Sequence, residues 1–421
     1  MSMAAGIDGH LLWSEGFGYA DLENKVAVTP VSRFRIGSVS KTLTAAAVGV
    51  LLERDQLDLD AEVQQYVPTF PRKEWPVTLR QAAGHLAGIR NYKGSEFYSN
   101  VSYDSVVDPL KVFSDDPLIS EPGSKYQYTT YGWSVVGAAV EAAAGRPFLT
   151  FMREEVLDPL GLVDTVADRS ANLMPNRVRF YDRGPDGQLV NAPTVNLSNK
   201  WAGGGYLSTP RDLVTFGLDF LDSRLLLPKT YAELTRSQKT NDGVATGYGI
   251  GWQTREDAHG RTTTGHSGSS VGGSTAFIVW PDTGLVLAAT TNLTDDPGLF
   301  ELAFTLGEIL SPARMVSPRT SAPDSLQSYK IRFMDDDKQG GRNGTLTVRS
   351  EKGELRGRIE GAGPGRDGLI VWAQQEGDEV HALLATSSKV VNLKLVFSGD
   401  RVVAESYRAG DKLRFDGNRQ R

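Results

Sequence analysis

The sequence predicts an α+β catalytic domain, an antiparallel sheet flanked by helices with a large helical insertion, followed by a small all-β domain. Three observations predict it. Short extended stretches open the chain and return after Tyr248, so both ends of the first domain supply strands to one sheet. Between them, residues about 60–245 read as helix and loop, rich in Pro and Gly. Beyond a stretch rich in Pro, Ser, Thr and Ala at 312–327, which reads as a linker, about eight short alternating segments are separated by Gly/Asp turns. The domains are therefore placed at 1–311 and 328–421, and a chain of 421 residues exceeds what one core serves.

Each element has a local reason. Residues 3–8 and 11–19 form a hairpin turning at Asp8-Gly9. Ser38 to about Arg54 is a helix of Ala, Val, Leu and Gly, a composition that suits burial on all sides. Pro185-Asp186-Gly187 turns a second hairpin between Arg179-Phe180-Tyr181 and Leu189-Val190. Ile250–Arg255, Arg261–Ser267, Ser274–Pro281 and Leu285–Thr291 read as strands, and a helix follows at about 296–310. In the last domain Tyr329–Phe333, Leu346–Arg349, Leu393–Phe397 and Val402–Tyr407 alternate as strands of a barrel or sandwich. The run Gly361-Ala362-Gly363-Pro364-Gly365 is a loop, with neither the spacing nor the following helix of a phosphate site.

Composition narrows the chemistry. Net charge −6 offers no general attraction to nucleic acid or anionic membranes. No apolar run approaches ~20 residues, so no membrane-spanning helix is expected. Absence of cysteine excludes disulfides, thiol catalysis and thiolate metal sites. The five histidines, His10, His85, His259, His266 and His381, lack ligand spacing, so neither metal nor cofactor is expected. The start, Met1-Ser2-Met3-Ala4-Ala5-Gly6, has no basic segment or long apolar core of a signal peptide, which leaves the compartment open.

The segment Phe34-Arg35-Ile36-Gly37-Ser38-Val39-Ser40-Lys41-Thr42-Leu43-Thr44 carries the chemistry. Residues at i and i+3 share a helix face, so the Lys41 amine can reach the Ser38 hydroxyl. A serine hydroxyl is a weak nucleophile until a neighbouring base takes its proton, and S-x-x-K supplies that base. Gly37 permits close backbone approach by a substrate. The competing reading makes Ser38 a helix N-cap and leaves Lys41 in solvent. A buried helix of small residues argues against an idle lysine one turn from its start.

Two further stretches complete a resemblance. Pro122-Gly123-Ser124-Lys125-Tyr126-Gln127-Tyr128-Thr129-Thr130-Tyr131-Gly132-Trp133-Ser134-Val135-Val136-Gly137 resembles the Y-S-N element of class C beta-lactamases, D,D-peptidases and related esterases. Gly265-His266-Ser267-Gly268 resembles their K-T-G strand. Around Trp201-Ala202-Gly203-Gly204-Gly205-Tyr206-Leu207-Ser208-Thr209 the likeness narrows to the mitochondrial serine beta-lactamase-like group and its bacterial homologues. It covers about residues 3–310, with the motifs in order.

The resemblance implies a beta-lactamase/transpeptidase-like fold with Ser38 as the acylated nucleophile, Lys41 its proton acceptor and Tyr128 a second acid/base. It implies an oxyanion hole of the Ser38 and Ser269 backbone N–H groups, and substrate contacts at Thr130, His266, Ser267 and Gly268. Trp201 and Gly203–Gly205 would shape the pocket wall. A lysine base must have its pKa moved from ~10.4 toward 7, which burial and a neighbouring positive charge both promote. The Tyr128 pKa would have to be lowered, by Lys41 when protonated. His85 stands where relatives have an H-T-S-G turn and reads as structural.

Three departures are visible. Thr130 replaces an Asn, removing an amide that would hold a substrate carbonyl and weakening the case for beta-lactam turnover. His266 replaces the lysine of K-T-G, exchanging a permanent charge for one that titrates near ~6.5, so recognition of a substrate carboxylate should suffer. Relatives carry a helix before the first strand, whereas this chain opens inside that strand; the reading therefore expects a truncated or misassigned start.

Gly268-Ser269-Ser270-Val271-Gly272 also matches G-x-S-x-G, but a nucleophile elbow needs a helix after the turn and Ser274–Pro281 reads as a strand. The first functional expectation is a serine hydrolase acting on a small-molecule ester, amide or peptide through an acyl-enzyme. A beta-lactamase or D,D-peptidase is the second, and a catalytically idle binding or assembly protein the third. Oligomeric state is left open.

Overall fold

A computed structural model describes residues 1–257, 260–295, 298–310, 326–334, 342–351, 354–363, 366–376, 379–386, 390–406 and 413–420. All but the last two residues of the expected linker 312–327, together with His259 and Pro364-Gly365 of the expected loop, lie outside the described residues. The chain divides into two compact units, Met1–Asp295 and Asp296–Arg421.

In the first unit six strands form one antiparallel sheet: β1 (Ser2–Ile7), β2 (His10–Gly16), β3 (Gln253–Glu256), β4 (Thr262–Ser270), β5 (Gly273–Trp280) and β6 (Leu285–Thr291). Their order is β3-β4-β5-β6-β1-β2, so β1 pairs with β6 across the whole helical insertion. The Asp8-Gly9 turn forms as expected, with Asp8 and Gly9 both at positive φ. Gly6 lets a helix close onto the sheet. A Cβ there would lie 2.7 Å from Val214 and 2.9 Å from Leu218, both on the helix Pro210–Asp222.

Two buried helices form the middle of the insertion: α1 (Ser40–Glu53) and α2 (Thr130–Ala144). Every residue of α1 from Ser40 to Leu51 is buried, as its small-residue composition required. The Thr129 side chain caps α2 by accepting the Tyr131 N–H, and Gly145 ends it in the left-handed conformation.

A buried ion pair braces the strand that leads into α1. Arg35 donates to Asp168 at 2.7 Å and to the Val271 carbonyl at 2.7 Å, with both charged side chains under a tenth exposed. Removing one partner leaves the other charge buried alone, so Asp168→Ala should cost about 3–5 kcal/mol in urea unfolding. A loss below about 1 kcal/mol would show the brace to be unimportant.

The second unit contains the helix Leu299–Leu310 and a closed barrel of eight antiparallel strands, running from Gln327–Phe333 to Arg414–Arg419. Between barrel and sandwich, the structure selects the barrel. Its interior is packed with Leu, Val, Ile, Phe and Tyr side chains such as Leu346, Leu393, Leu395 and Phe415. Among the described residues no single helix is long and apolar enough to cross a membrane.

Candidate active site

Ser38 precedes α1 instead of opening it. Gly37–Val39 is a 3-10 turn, and the α-helix starts at Ser40. The tighter turn has 3.0 residues per turn, so positions i and i+3 eclipse and the serine–lysine contact is kept. Lys41 Nζ lies 2.9 Å from Ser38 Oγ and donates to the Gly203 carbonyl at 2.6 Å. Neither helix start has a side-chain cap bond and Lys41 is fully buried, which removes the N-cap reading of Ser38.

The Lys41 pKa is held well below its ordinary value, first by burial and then by the positive charge of Lys200. The neighbouring cation that the chemistry called for is thus a residue 41 cannot meet along the helix. It arrives from the turn Leu197–Lys200, where no motif had marked it.

Tyr128 sits two residues before α2, positioned by His85. The His85 carbonyl accepts the Gln127 N–H, and His85 Nδ1 accepts the Thr129 N–H at 3.1 Å. The Lys41 amine lies 5.0 Å from the centre of the Tyr128 ring, and Tyr128 lines the same cavity as Ser38. Its pKa is raised, not lowered as expected from the sequence. Burial dominates, the neighbouring Ser38 hydroxyl opposes it, and the nearby Tyr126 and Tyr92 push the same way as burial. Lys41 contributes nothing that offsets the burial. Tyr128 is therefore a phenol throughout the neutral range.

Two glycines bring the nucleophile turn against β4. A Cβ on Gly37, at φ +50, would lie 2.5 Å from the Ser269 carbonyl oxygen and 2.7 Å from its nitrogen. One on Gly268 would lie 2.0 Å from the Ile36 carbonyl oxygen. Only bare backbone permits this approach, which carries residues 37–38 up to residues 268–269. Ser38, Tyr128, Thr130, Gly203 and Ser269 then share a cavity of about 310 Å³. The Ser269 hydroxyl donates to Asp295 at 2.5 Å.

His266 departs from its expected place. It is buried beside Tyr128, with ring centres 6.1 Å apart, and does not line the cavity. Its Nδ1 lies 2.5 Å from the Ser267 carbonyl, which only accepts, so Nδ1 carries the proton and Nε2 accepts from the Tyr248 hydroxyl at 2.9 Å. Burial and the Lys41 amine push its pKa down to about 3, so the expected titration near 6.5 does not occur in the folded protein. Ser267 and Gly268 are likewise absent from the cavity wall.

Trp201 also lies away from its expected place on the pocket wall. It is buried in the helical core at 3% exposure, and the wall is made by its neighbours Lys200, Gly203 and Gly204. The amide missing at Thr130 has a counterpart that the sequence concealed. Asn91 lines the same cavity, and its Oδ1 accepts the Thr130 N–H at 3.2 Å. Ser270 borders the cavity at the end of β4, but the chain continues through the Gly272 turn into β5, so no strand–turn–helix elbow exists.

Comparison with known proteins agrees with this architecture. The beta-lactamase family profile matches residues 1–310. The chain is 33% identical over 280 residues to the human serine beta-lactamase-like protein LACTB, mitochondrial, covering 50% of this chain and 51% of that protein. It spans about half the length of that relative. The octameric penicillin-binding protein homologue from Pyrococcus abyssi superposes with a TM-score of 0.66 at 18% identity, over 99% of this chain and 95% of that one. The D-amino acid amidase from Ochrobactrum anthropi SV3 superposes with a TM-score of 0.59 at 25% identity, over 69% and 85%. With its whole first unit inside the matched range, this chain belongs to the beta-lactamase family.

Proposed function

We propose that the chain is a serine hydrolase of small esters or peptides, working through an acyl-enzyme on Ser38. The observation that carries this reading is the 2.9 Å separation of Ser38 Oγ from a fully buried Lys41 amine. A neutral amine keeps a lone pair for the serine proton while one of its N–H groups is spent on Gly203. Ser38 Oγ attacks the substrate carbonyl as its proton passes to Lys41. The oxyanion is held by the backbone N–H groups of Ser38 and Ser269, each such donor contributing about 3 kcal/mol of transition-state stabilisation. The Tyr128 phenol protonates the leaving group and regains a proton from the Lys41 ammonium, which restores the neutral amine. Water then attacks the acyl-enzyme and gives one proton back to Ser38 through the same pair.

The inward His266 and the threonine at 130 favour this reading over a beta-lactamase or D,D-peptidase. Fluorophosphonate labelling followed by intact mass, with p-nitrophenyl butyrate and a chromogenic cephalosporin assayed side by side, tests it. One adduct on Ser38, with ester turnover exceeding cephalosporin turnover, is expected. The reverse preference would favour the lactamase reading, and a folded sample without an adduct would favour an idle binding protein.

A further inference from the structure

Lys200 is a charged residue at the cavity that the proposed steps do not use. It is 5% exposed and lines the same 310 Å³ space as Ser38. Its amine donates one hydrogen bond, to the Phe97 carbonyl at 3.1 Å, and lies 4.8 Å and 4.7 Å from the ring centres of Tyr92 and Phe97. Among the described residues no carboxylate comes within ion-pairing distance of it. An ammonium has three donors, so two remain for a ligand.

The other cations near Ser38 are committed elsewhere. Arg35 is bound to Asp168 and the Val271 carbonyl. Lys41 faces Ser38 and Gly203, and His266 is neutral and turned inward. The carboxylate on the cavity wall, Asp295, accepts the Ser269 hydroxyl and makes no ion pair with Lys200. A substrate carboxylate is therefore disfavoured beside the Asp295 side chain and favoured at the Tyr92–Phe97–Lys200 part of the wall.

The geometry points to Lys200 as a specificity-determining residue that pairs with a carboxylate on the substrate, next to the carbonyl that Ser38 attacks. This rests on the reading of Ser38 as nucleophile. A buried cation without a counter-ion is costly, and a substrate anion offsets that cost only while bound. Burial, with Arg35 adding repulsion, already lowers the Lys200 pKa to about 7. A bound carboxylate would raise it and retain the proton. The inference reverses the expectation that loss of the K-T-G lysine removes carboxylate recognition, because the charge is supplied from a different segment.

Two matched ester pairs test it. One is mono-4-nitrophenyl adipate against its methyl ester, which moves the charge on the acyl side. The other is 3-carboxy-4-nitrophenyl butyrate against 4-nitrophenyl butyrate, which moves it on the leaving group. The readout is the ratio of kcat/KM for charged over neutral ester, which a loss common to both does not move. In at least one pair the native protein should prefer the charged ester by about 10-fold or more. Lys200→Met should lower that ratio about 30-fold, and Lys200→Arg should keep most of it. Because Lys200 also depresses the Lys41 pKa, Lys200→Met should slow both esters somewhat and move the acid limb to higher pH.

A native protein that hydrolyses the neutral esters without preferring either charged one overturns the inference and leaves the hydrolase reading standing. So does a Lys200→Met ratio equal to the native one. The native ratio alone decides the matter should that variant fail to fold. A protein that turns over none of the four esters and takes no label on Ser38 overturns the hydrolase reading, and this inference with it.

Discussion

Replacing Ser38 by alanine should lower turnover of p-nitrophenyl butyrate by at least ~1000-fold, as expected for removal of a covalent nucleophile. The fold should survive, because the Ser38 side chain caps neither the 3-10 turn nor α1. Its hydroxyl lies 2.9 Å from the Lys41 amine, on the wall of the cavity. Turnover and the melting temperature measured on one preparation separate the two effects. Residual activity above about one per cent of native, at an unchanged melting temperature, would remove Ser38 from the chemistry and return attention to Ser270 on the same wall.

Lys41→Met should cost about 100- to 10,000-fold in kcat/KM, the range for loss of a general base, while preserving side-chain volume. The pH dependence gives an independent check. Below its folded pKa the amine is protonated and cannot accept from Ser38, so native activity falls as pH falls. Above that pKa it is neutral and activity reaches a plateau. Since burial and Lys200 hold the pKa well below 10.5, the plateau must already be reached far below pH 10.5. An acid limb near 10.5 would show that Lys41 is not the base.

Stability carries the same signature with its own sign. The unfolded chain binds a proton at residue 41 up to about pH 10.5, whereas the folded chain has already lost it. Unfolding therefore takes up a proton in that window, and native stability rises with pH. Native minus Lys41→Met stability should climb by about 1.4 kcal/mol per pH unit from the folded pKa to about 10.5. A flat difference would mean that the amine stays charged when folded, and the base assignment would fall.

The hairpin at Asp8-Gly9, the strands after Tyr248, the buried helix after Ser38 and the serine–lysine spacing were all legible in the sequence. Each depends on residues a few positions apart: turn chemistry, alternation, side-chain size and the pitch of one helical turn. Even the small error at Ser38, a 3-10 turn where an α-helix was expected, left the contact intact because both helices bring i and i+3 together.

Burial direction was not legible. His266 turned inward to Tyr248, Trp201 sank into the core, and Asn91 brought an amide to the cavity from far along the chain. Lys200 likewise came from a turn with no recognisable motif to stand beside a base 159 positions earlier in the chain, and Tyr128 was raised rather than lowered. Local spacing decides which groups can touch when they share a helical turn or a hairpin. Proton affinity and access to substrate depend on how much water and which charges surround a group, and only packing between distant segments sets those.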